Sequence, residues 1–433
     1  VCINLYPFEA TVRRPGVSLE EAIEQIDIGG PAMIRSAAKN AEWVCVVTDA
    51  SQYAELVAEL ERHGGRTTLA FRRRLALAAL QRTAAYDGAI ATWLAANDPA
   101  VQTGSVLPER LHLNLVRSAE LRYGENPHQA AAAYVLPTAA GASVLRARQL
   151  HGKPLSYNNL ADASAALEAV RALRAVDGHA ASACIVKHTN PCGLALAPHL
   201  PEATLAALDG DPVAAYGGII ALSEAVDVLT AEHLTREGMF LEVVLAPAFA
   251  PEALELLQSR WKMVRVLEVG PIDAAERGEI EFRSIPGGAL AQERDLVPPA
   301  TETWKHAAGP APTREQLQAA AVLEVAARSL TSNAVAIGGQ VGKSVALFGA
   351  GAGQMDRVAS CRIAIEKAGE RARGGVASSD AFFPFADGPK LLIEAGVALI
   401  VHPGGSKRDE DTFAACNAAG VTCLVTGVRR FRH

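Results

Sequence analysis

Short, continuously apolar runs separated by helical stretches constrain this chain more than any other feature. "ACIVKH" (183–188), "GIIALS" (218–223), "SVALFG" (344–349), "VALIVH" (397–402) and "TCLVTG" (422–427) are too short for helices and apolar on both faces. Strands covered on both sides by helices read this way, whereas a sheet with one wet face alternates apolar and polar residues. The expected class is therefore α/β. "WVCVVT" (43–48) predicts one more strand, followed by a helix capped by Asp49. That helix carries Tyr53, Leu56, Val57 and Leu60 on one face and stops at Gly64-Gly65. Half of the 433 residues are apolar, enough for the cores of two or three domains. "DPAVQTGSVLPE" (98–109) reads as a domain seam, and the Pro- and Thr-rich stretch 296–313 as a connector inside the larger C-terminal part. No internal sequence repeat stands out.

Charge and cysteine usage exclude several classes. The net charge is −6, from 41 Lys and Arg against 47 Asp and Glu, well mixed. No electrostatic footprint for nucleic acid or an anionic membrane results, so neither is an expected partner. A small anion held by a few arginines is compatible with this balance. Seven scattered cysteines without a Cys-x-x-Cys pair read as the reduced thiols of a cytoplasmic protein. No apolar run reaches the roughly 18 residues that span a bilayer, and no signal peptide is read. The sequence opens on Val1 with "VCINLYPF", which reads as the body of a strand whose upstream part is missing.

Two glycine-rich stretches imitate nucleotide motifs. "GGQVGKS" (338–344) has Ile337 where a phosphate loop needs its first glycine, and a strand rather than a helix follows. It reads as a tight turn between strands. "GAGAGQ" (349–354) departs from the dinucleotide fingerprint at Gln354. Its place between a strand and a helix would let the glycines bring backbone N–H groups to a ligand, with Arg357 one turn into that helix.

"CIVKHTNPCG" (184–193) ends a strand on Lys187 and His188, where open α/β sheets place their ligand crevices. Histidine moves protons near neutral pH, and an adjacent ammonium donates to developing negative charge. Successive strand residues face opposite sides, so the pair addresses one ligand only where the strand has broken into a turn. The residues "TNPCG" predict that break. Spacing alone equally admits a strand end with an incidental basic pair. Cys192 fits no metal chemistry: Ala195 stands where a zinc deaminase has its second cysteine, and no His-x-Glu lies upstream. After Pro191 in a turn it reads as packing rather than as a nucleophile. No metal is expected.

Further clusters accumulate along the chain. "LRYGENPHQ" (121–129) sets an arginine, a tyrosine and a histidine around a Gly/Pro turn, a fit for a phosphate or for a plain surface loop. In "HGKPLSYNNLADA" (151–163), Asn159 either binds ligand or caps the following helix. "SSDAFFPFADG" (378–388) combines aromatics with Asp380 and Asp387, suited to a flat heterocycle or to a hydrophobic plug. "HPGGSKRDED" (402–411) is another glycine turn after a strand, and "GVRRFRH" (427–433) closes the sequence on three arginines.

"NLYPF", "IDIGGPAMIRSAAKN", "LRYGENPHQ", "KHTNPCG", "SNAV…GAGQMDR", "SDAFFPF", "PGGSKRDED" and "GVRRFRH" fall in this order along essentially the whole chain. Together they resemble the bifunctional purine-biosynthesis enzymes that join AICAR formyltransferase to IMP cyclohydrolase. The resemblance implies a partial methylglyoxal-synthase-like cyclohydrolase domain (1–114), without its first half, and a formyltransferase domain (115–433). The latter would consist of two zinc-free cytidine-deaminase-like α/β/α lobes, about 115–300 and 301–433. It further implies formyl transfer from 10-formyltetrahydrofolate to the 5-amino group of AICAR, and, in the complete protein, closure of formyl-AICAR to IMP. Lys187 and His188 match the proton-transfer pair, and Asn333 an asparagine near the oxyanion. Arg122, Tyr123, Gly217, Glu242, Arg357 and Arg429 match AICAR-binding positions, the arginines as phosphate partners. Val358, Phe382, Asp387 and Ser406 match positions around the folate. Asn4, Tyr6, Asp27, Gly29 and Lys39 match the cyclohydrolase site, with Lys39 moving a proton. A homodimer with shared active sites is implied, a structural potassium ion is allowed, and ring closure is expected to be weak without the first half of its domain. A catalytically inactive nucleotide-binding subunit and a zinc-free deaminase relative acting on another nucleobase are the competing readings.

Overall fold

The computed structural model describes residues 1–101, 107–273 and 279–433. The seam read at 98–109 lies partly outside the described residues. Two compact units form, Val1–Val116 with Gly278–Arg294, and Arg117–Arg277 with Asp295–His433.

In the first unit, helices α1 (Phe8–Val12), α2 (Leu19–Glu24), α3 (Gly29–Lys39), α4 (Tyr53–Arg62) and α5 (Leu69–Asn97) follow one another. Ser18 and Glu21 form a capping box on α2, and the Thr68 hydroxyl accepts from Phe71 N–H at the start of α5. Asp49 does cap, accepting from Ser51 N–H at 2.8 Å in a short 3-10 turn ahead of α4, and Gly64 and Gly65 take positive φ just past the end of α4. The strands expected at 1–8 and 43–48 reduce to a single parallel bridge, Cys2 with Val47. A ladder needs successive paired residues on both chains, and residues 1–3 and 45–47 supply only that one register. An antiparallel hairpin of Ile280–Ile285 and Gly288–Glu293 completes this unit.

The second unit is built on one twelve-stranded sheet. In chain order its strands are β1 (Arg148–His151), β2 (Ala181–Lys187), β3 (Asn190–Ala197), β4 (Gly218–Leu222), β5 (Leu241–Ala246) and β6 (Arg265–Glu268). There follow β7 (Lys305–Ala308), β8 (Val335–Val341), β9 (Ser344–Gly351), β10 (Val376–Ser379), β11 (Leu399–His402) and β12 (Thr422–Val425). All five strands read from the apolar runs of this part are present. The stretch 296–313, read as a connector, contains edge strand β7.

Across the sheet the order is β7-β12-β11-β10-β8-β9-β3-β2-β4-β5-β6-β1. Read outward from the centre, each half repeats the same plan: a hairpin, a strand antiparallel to it, two further parallel strands and an antiparallel edge. The fold is thus internally duplicated although the sequence shows no repeat. Each half opens with a capped helix on the same face, α6 (Tyr157–Arg174) behind Ser156 and α11 (Arg314–Ser329) behind Thr313. The opposite face carries α7 (Leu200–Leu208), α8 (Pro212–Ala215), α9 (Val228–Leu234) and α10 (Pro251–Arg260) from the first half. From the second half it carries α12 (Arg357–Ala368), α13 (Asp387–Glu394) and α14 (Asp409–Ala419). Both faces of the sheet are buried, the physical reason its strands are apolar throughout.

Where two layers approach closely, glycine is required. A Cβ on Gly193 would lie 2.0 Å from Ala207 O of α7, and one on Gly351 2.0 Å from Ser360 O of α12. The glycines of "GAGAGQ" read as ligand contacts therefore serve helix packing at Gly351, and at Gly349 in the same way, 2.3 Å from Ala364 O.

Candidate active site

The register of the sheet gathers most candidate residues at one end. Strands β3 and β9 are antiparallel at the centre, pairing Leu196 with Val345, so the start of β3 lies at the same end as the finish of β9 and the start of β8. Lys187 and His188 at the end of β2, Gly217 before β4 and Glu242 near the start of β5 share that end. So do Asn333 before β8 and the segments that follow β10, β11 and β12, which carry Phe382, Asp387, Ser406 and Arg429. The crevice is at the carboxyl ends of the parallel strands only in the second half. In the first half, β4 and β5 begin there.

The turn that exposes His188 takes in only Thr189 of "TNPCG". Strand β3 starts at Asn190, and Pro191, Cys192 and Gly193 lie within it, with a bulge at Cys192. The break comes at His188 and Thr189, whose φ values are 52° and 62°. Two consecutive positive φ values mark a type I′ hairpin turn, which favours Asn-Gly. For a β-branched threonine that conformation costs on the order of 1–3 kcal/mol and persists only where its surroundings impose it. Those surroundings are visible. Thr189 N–H donates to Asp162 Oδ1 at 2.7 Å, Thr189 O accepts from Arg432 Nη1 at 2.9 Å, and Asn190 Nδ2 donates to His188 O at 2.9 Å. His188 itself is exposed. Lys187 Nζ donates to Tyr216 O at 2.7 Å and faces Gly217, where an added Cβ would stand 3.6 Å from the ammonium. Burial pushes the Cys192 thiol up to about 12, and its Sγ lies 3.6 Å from Ile185 O, so it packs as a neutral thiol.

Asn333 is held on every side. Its Nδ2 donates to Gln354 O at 2.9 Å, its Oδ1 accepts from Arg357 Nη2 at 2.7 Å, and its carbonyl accepts from Ser360 Oγ at 2.9 Å. Arg357, expected as a phosphate partner, is instead buried at the first position of α12. Its Nη1 pairs with the fully buried Asp380 and donates to Ser379 Oγ at 2.8 Å. With both terminal nitrogens so engaged, it orients Asn333 rather than presenting a free fork to an anion. Ser332 Oγ donates to the other Asp380 oxygen at 2.5 Å. Asn159 caps: its Oδ1 accepts from Ser156 N–H, and its Nδ2 donates to Glu242 Oε2 at 3.1 Å, where Arg265 also donates at 3.1 Å.

The remaining candidates are exposed or half-buried. Phe382 and Phe385 are exposed while Phe383 enters the core, and the guanidinium of Arg408 lies 5.1 Å from the Phe385 ring. Asp387 opens α13, Val358 lies on α12, and Ser406 Oγ accepts from Arg408 N–H at 3.1 Å. Arg429 is exposed and stacks on Phe431 at 4.5 Å. Arg122 stacks on Tyr123 at 5.1 Å, and the register of the large sheet does not reach either residue. The terminal stretch is not a solvated tail. Arg430 is buried against Glu324 and Asp295, and Arg430 N–H donates to Asp380 O at 2.8 Å. Asp162, Asn190, Arg430 and Arg432 were not singled out one by one from the sequence, since their roles are long-range; Asp380, read there as a carboxylate for a heterocycle, is instead fully buried and pairs with Arg357.

In the first unit, Asp27 gathers its neighbours. Its Oδ1 accepts from Gly30 N–H at 2.7 Å and its Oδ2 from Tyr6 N–H at 3.4 Å, beside Gly29. Asn4 Nδ2 donates to the Tyr53 hydroxyl at 2.7 Å. Lys39 closes α3 at its other end, roughly 15 Å of helix from Gly29, so this helix separates it from the Asp27 group. Among the described residues no three His, Cys, Asp or Glu side chains gather as a metal site. A cavity of about 500 Å³ lined by Gly339, Gln340, Phe348, Arg371 and Arg373 lies at the far end of β8 from Asn333 and contains none of the candidates.

Comparison with known proteins decides the family. Residues 37–367, well over half of the chain, match the family described as AICARFT/IMPCHase bienzyme. The chain belongs to that family. This family member is 47% identical over 445 residues to the bifunctional purine biosynthesis protein PurH of Synechococcus sp. (strain WH7803), covering 100% of this chain and 81% of the relative. It is 46% identical over 440 residues to the protein of the same name from Sorangium cellulosum (strain So ce56), with 100% and 82% covered. For that of Listeria monocytogenes serotype 4a (strain HCC23) the values are 43% over 433 residues, 100% and 81%. The similarity runs through the first hundred residues as well as the rest.

Proposed function

We propose that the sheet end carrying Lys187, His188 and Asn333 is the formyl-transfer site of this enzyme. As a member of the AICARFT/IMPCHase family the chain has AICAR formyltransferase and IMP cyclohydrolase activities in purine biosynthesis. The proposal concerns where and how. The observation that carries it is the convergence of both halves of the sheet on one end, with a strained turn presenting His188 beside Lys187.

In this reading His188 takes the proton from the weakly nucleophilic 5-amino group of AICAR as its nitrogen bonds the formyl carbon, and returns a proton to the folate nitrogen as the formyl carbon–folate nitrogen bond breaks. Lys187 and the fixed amide of Asn333 donate to the oxygen on which negative charge develops. 10-Formyltetrahydrofolate supplies the formyl group, and the exposed rings Phe382 and Phe385 with Asp387, Val358 and Ser406 fit its flat heterocycle. Arg429, Arg122 and Tyr123 bind the AICAR phosphate end, with Gly217 and Glu242 lining the substrate. Residues 115–433 form the formyltransferase, as two deaminase-like lobes, and 1–114 the cyclohydrolase, with Asn4, Tyr6, Asp27, Gly29 and Lys39 at its site.

The test is to supply AICAR and 10-formyltetrahydrofolate and follow tetrahydrofolate release. His188→Ala is expected to abolish most of it while AICAR binding by calorimetry is kept; an unchanged rate would refute the assigned role. Lys39→Ala is expected to slow closure of supplied formyl-AICAR without touching formyl transfer. A cytoplasmic homodimer with shared sites belongs to the same proposal. Its check is recovered activity on mixing His188→Ala with Phe382→Ala chains. No described helix is long and apolar enough to cross a membrane. No step of this reading uses a potassium ion.

A further inference from the structure

Resting on the assignment of His188 above, we infer that Arg432 and Asp162 are positioning residues. They hold the His188–Thr189 turn in its left-handed form, and Arg432 ties that turn to Asn333 in the other half of the sheet.

Both peptide groups flanking Thr189 are gripped by charged side chains distant in sequence. Asp162 of α6 takes the N–H at 2.7 Å, and Arg432 Nη1 reaches the carbonyl at 2.9 Å while also bonding Ser329 O. Arg432 in turn is locked to the segment before β8. Its N–H donates to Ser332 Oγ at 3.0 Å, and its carbonyl accepts from Ser332 N–H at 2.8 Å. From Ser332 the bonds continue through Asp380 and Arg357 to the Asn333 amide. A parallel link runs from Thr331 N–H to Asn190 Oδ1 at 2.8 Å and on to His188 O.

One unbroken set of bonds therefore joins the proposed proton-transfer residue to the proposed oxyanion donor. A planar guanidinium is needed at its centre because one nitrogen serves two carbonyls at fixed angles. Without that grip the turn would relax toward backbone angles natural to threonine and swing the imidazole off its line, and displacements of about 1 Å are worth up to 10²-fold in rate.

A double-mutant cycle in the full chain tests this. Thr189→Gly lets the turn keep a positive φ unaided. Arg432→Ala is expected to lower kcat for formyl transfer about 30-fold while KM for both substrates changes less than about threefold. In the Thr189→Gly background the same change is expected to lower kcat by less than about fivefold. Equal losses in both backgrounds would overturn the positioning role. Should Arg432→Ala fail to fold, Arg432→Lys and Asp162→Asn are read by the same comparison. His188→Ala run alongside separates the two ideas. If it stays active, the site assignment and this inference both fall; if it is inactive while the cycle is additive, only this inference falls.

Discussion

The two halves of the large sheet follow one plan and make opposite use of it. Each begins with a two-residue hairpin, β2–β3 around His188–Thr189 and β8–β9 around Gly342–Lys343. In the second half glycine takes the positive φ, 61°, with open space around it, as a hairpin turn prefers. In the first half two residues with side chains are forced into that region and charged groups from afar hold them there. Because the halves are joined antiparallel, one end of the sheet receives the strained hairpin of the first half and the strand-end loops of the second. The other end receives the relaxed hairpin. Identical topology thus yields two unlike ends, and on the proposed reading local strain marks the reactive one.

The sharpest way to break this contrast is at the two turns. His188→Ala is expected to slow formyl transfer on the order of 10²–10⁴-fold, the usual worth of a general acid–base. Lys343→Ala in the matching turn should leave the rate within about twofold, as for other surface substitutions. Equal effects at both turns would sink the comparison.

The strand after each hairpin gives the next test. Asp380 follows β10 and neutralises the buried Arg357, whereas Ser223 follows β4 and takes only Ser182 N–H at 2.8 Å. Asp380→Ala should destabilise by about 3–5 kcal/mol because it strands a buried guanidinium. Ser223→Ala should cost about 1 kcal/mol, a single neutral hydrogen bond. Denaturant midpoints distinguish the two.

A pH difference follows further along. β11 ends on His402, packed between Phe383 and Phe413, while its counterpart β5 ends on Ala246. Burial lowers the His402 imidazole to about 4, with Asp409 pulling weakly the other way. The unfolded chain takes up a proton below about pH 6.5 and the folded chain only below about 4. Up to about 3 kcal/mol of stability is therefore lost as pH falls through that window. His402→Gln should flatten the decline of Tm between these values, and an unaltered slope would place the acid sensitivity elsewhere. An effect as small as that of Ser223→Ala is expected at Gly342→Ala, about 1 kcal/mol for a left-handed alanine, with formyl transfer intact.

Much of the frame was legible in the sequence. Continuous apolar runs identified five strands of the large sheet, because burial on both faces leaves no room for alternation. Ile337 excluded a phosphate loop, and the stretch is indeed a hairpin turn. Ordered motifs identified the family, and with it the candidate residues. Less was legible where one residue type serves two purposes. The glycines of "GAGAGQ" read as ligand contacts but admit a helix, and "TNPCG" reads as a turn but, after Thr189, runs on as a strand. Arg357 reads as an anion partner but is satisfied by Asp380.

By itself the sequence determined the α/β class, the cap at Asp49 and the residue pair Lys187–His188, since each depends on neighbours within a few positions. Only the tertiary structure decided the duplication, the shared sheet end and the left-handed turn. Strand order and direction are set by which apolar faces pack together, and backbone strain is tolerated only where distant groups such as Asp162 and Arg432 converge to impose it.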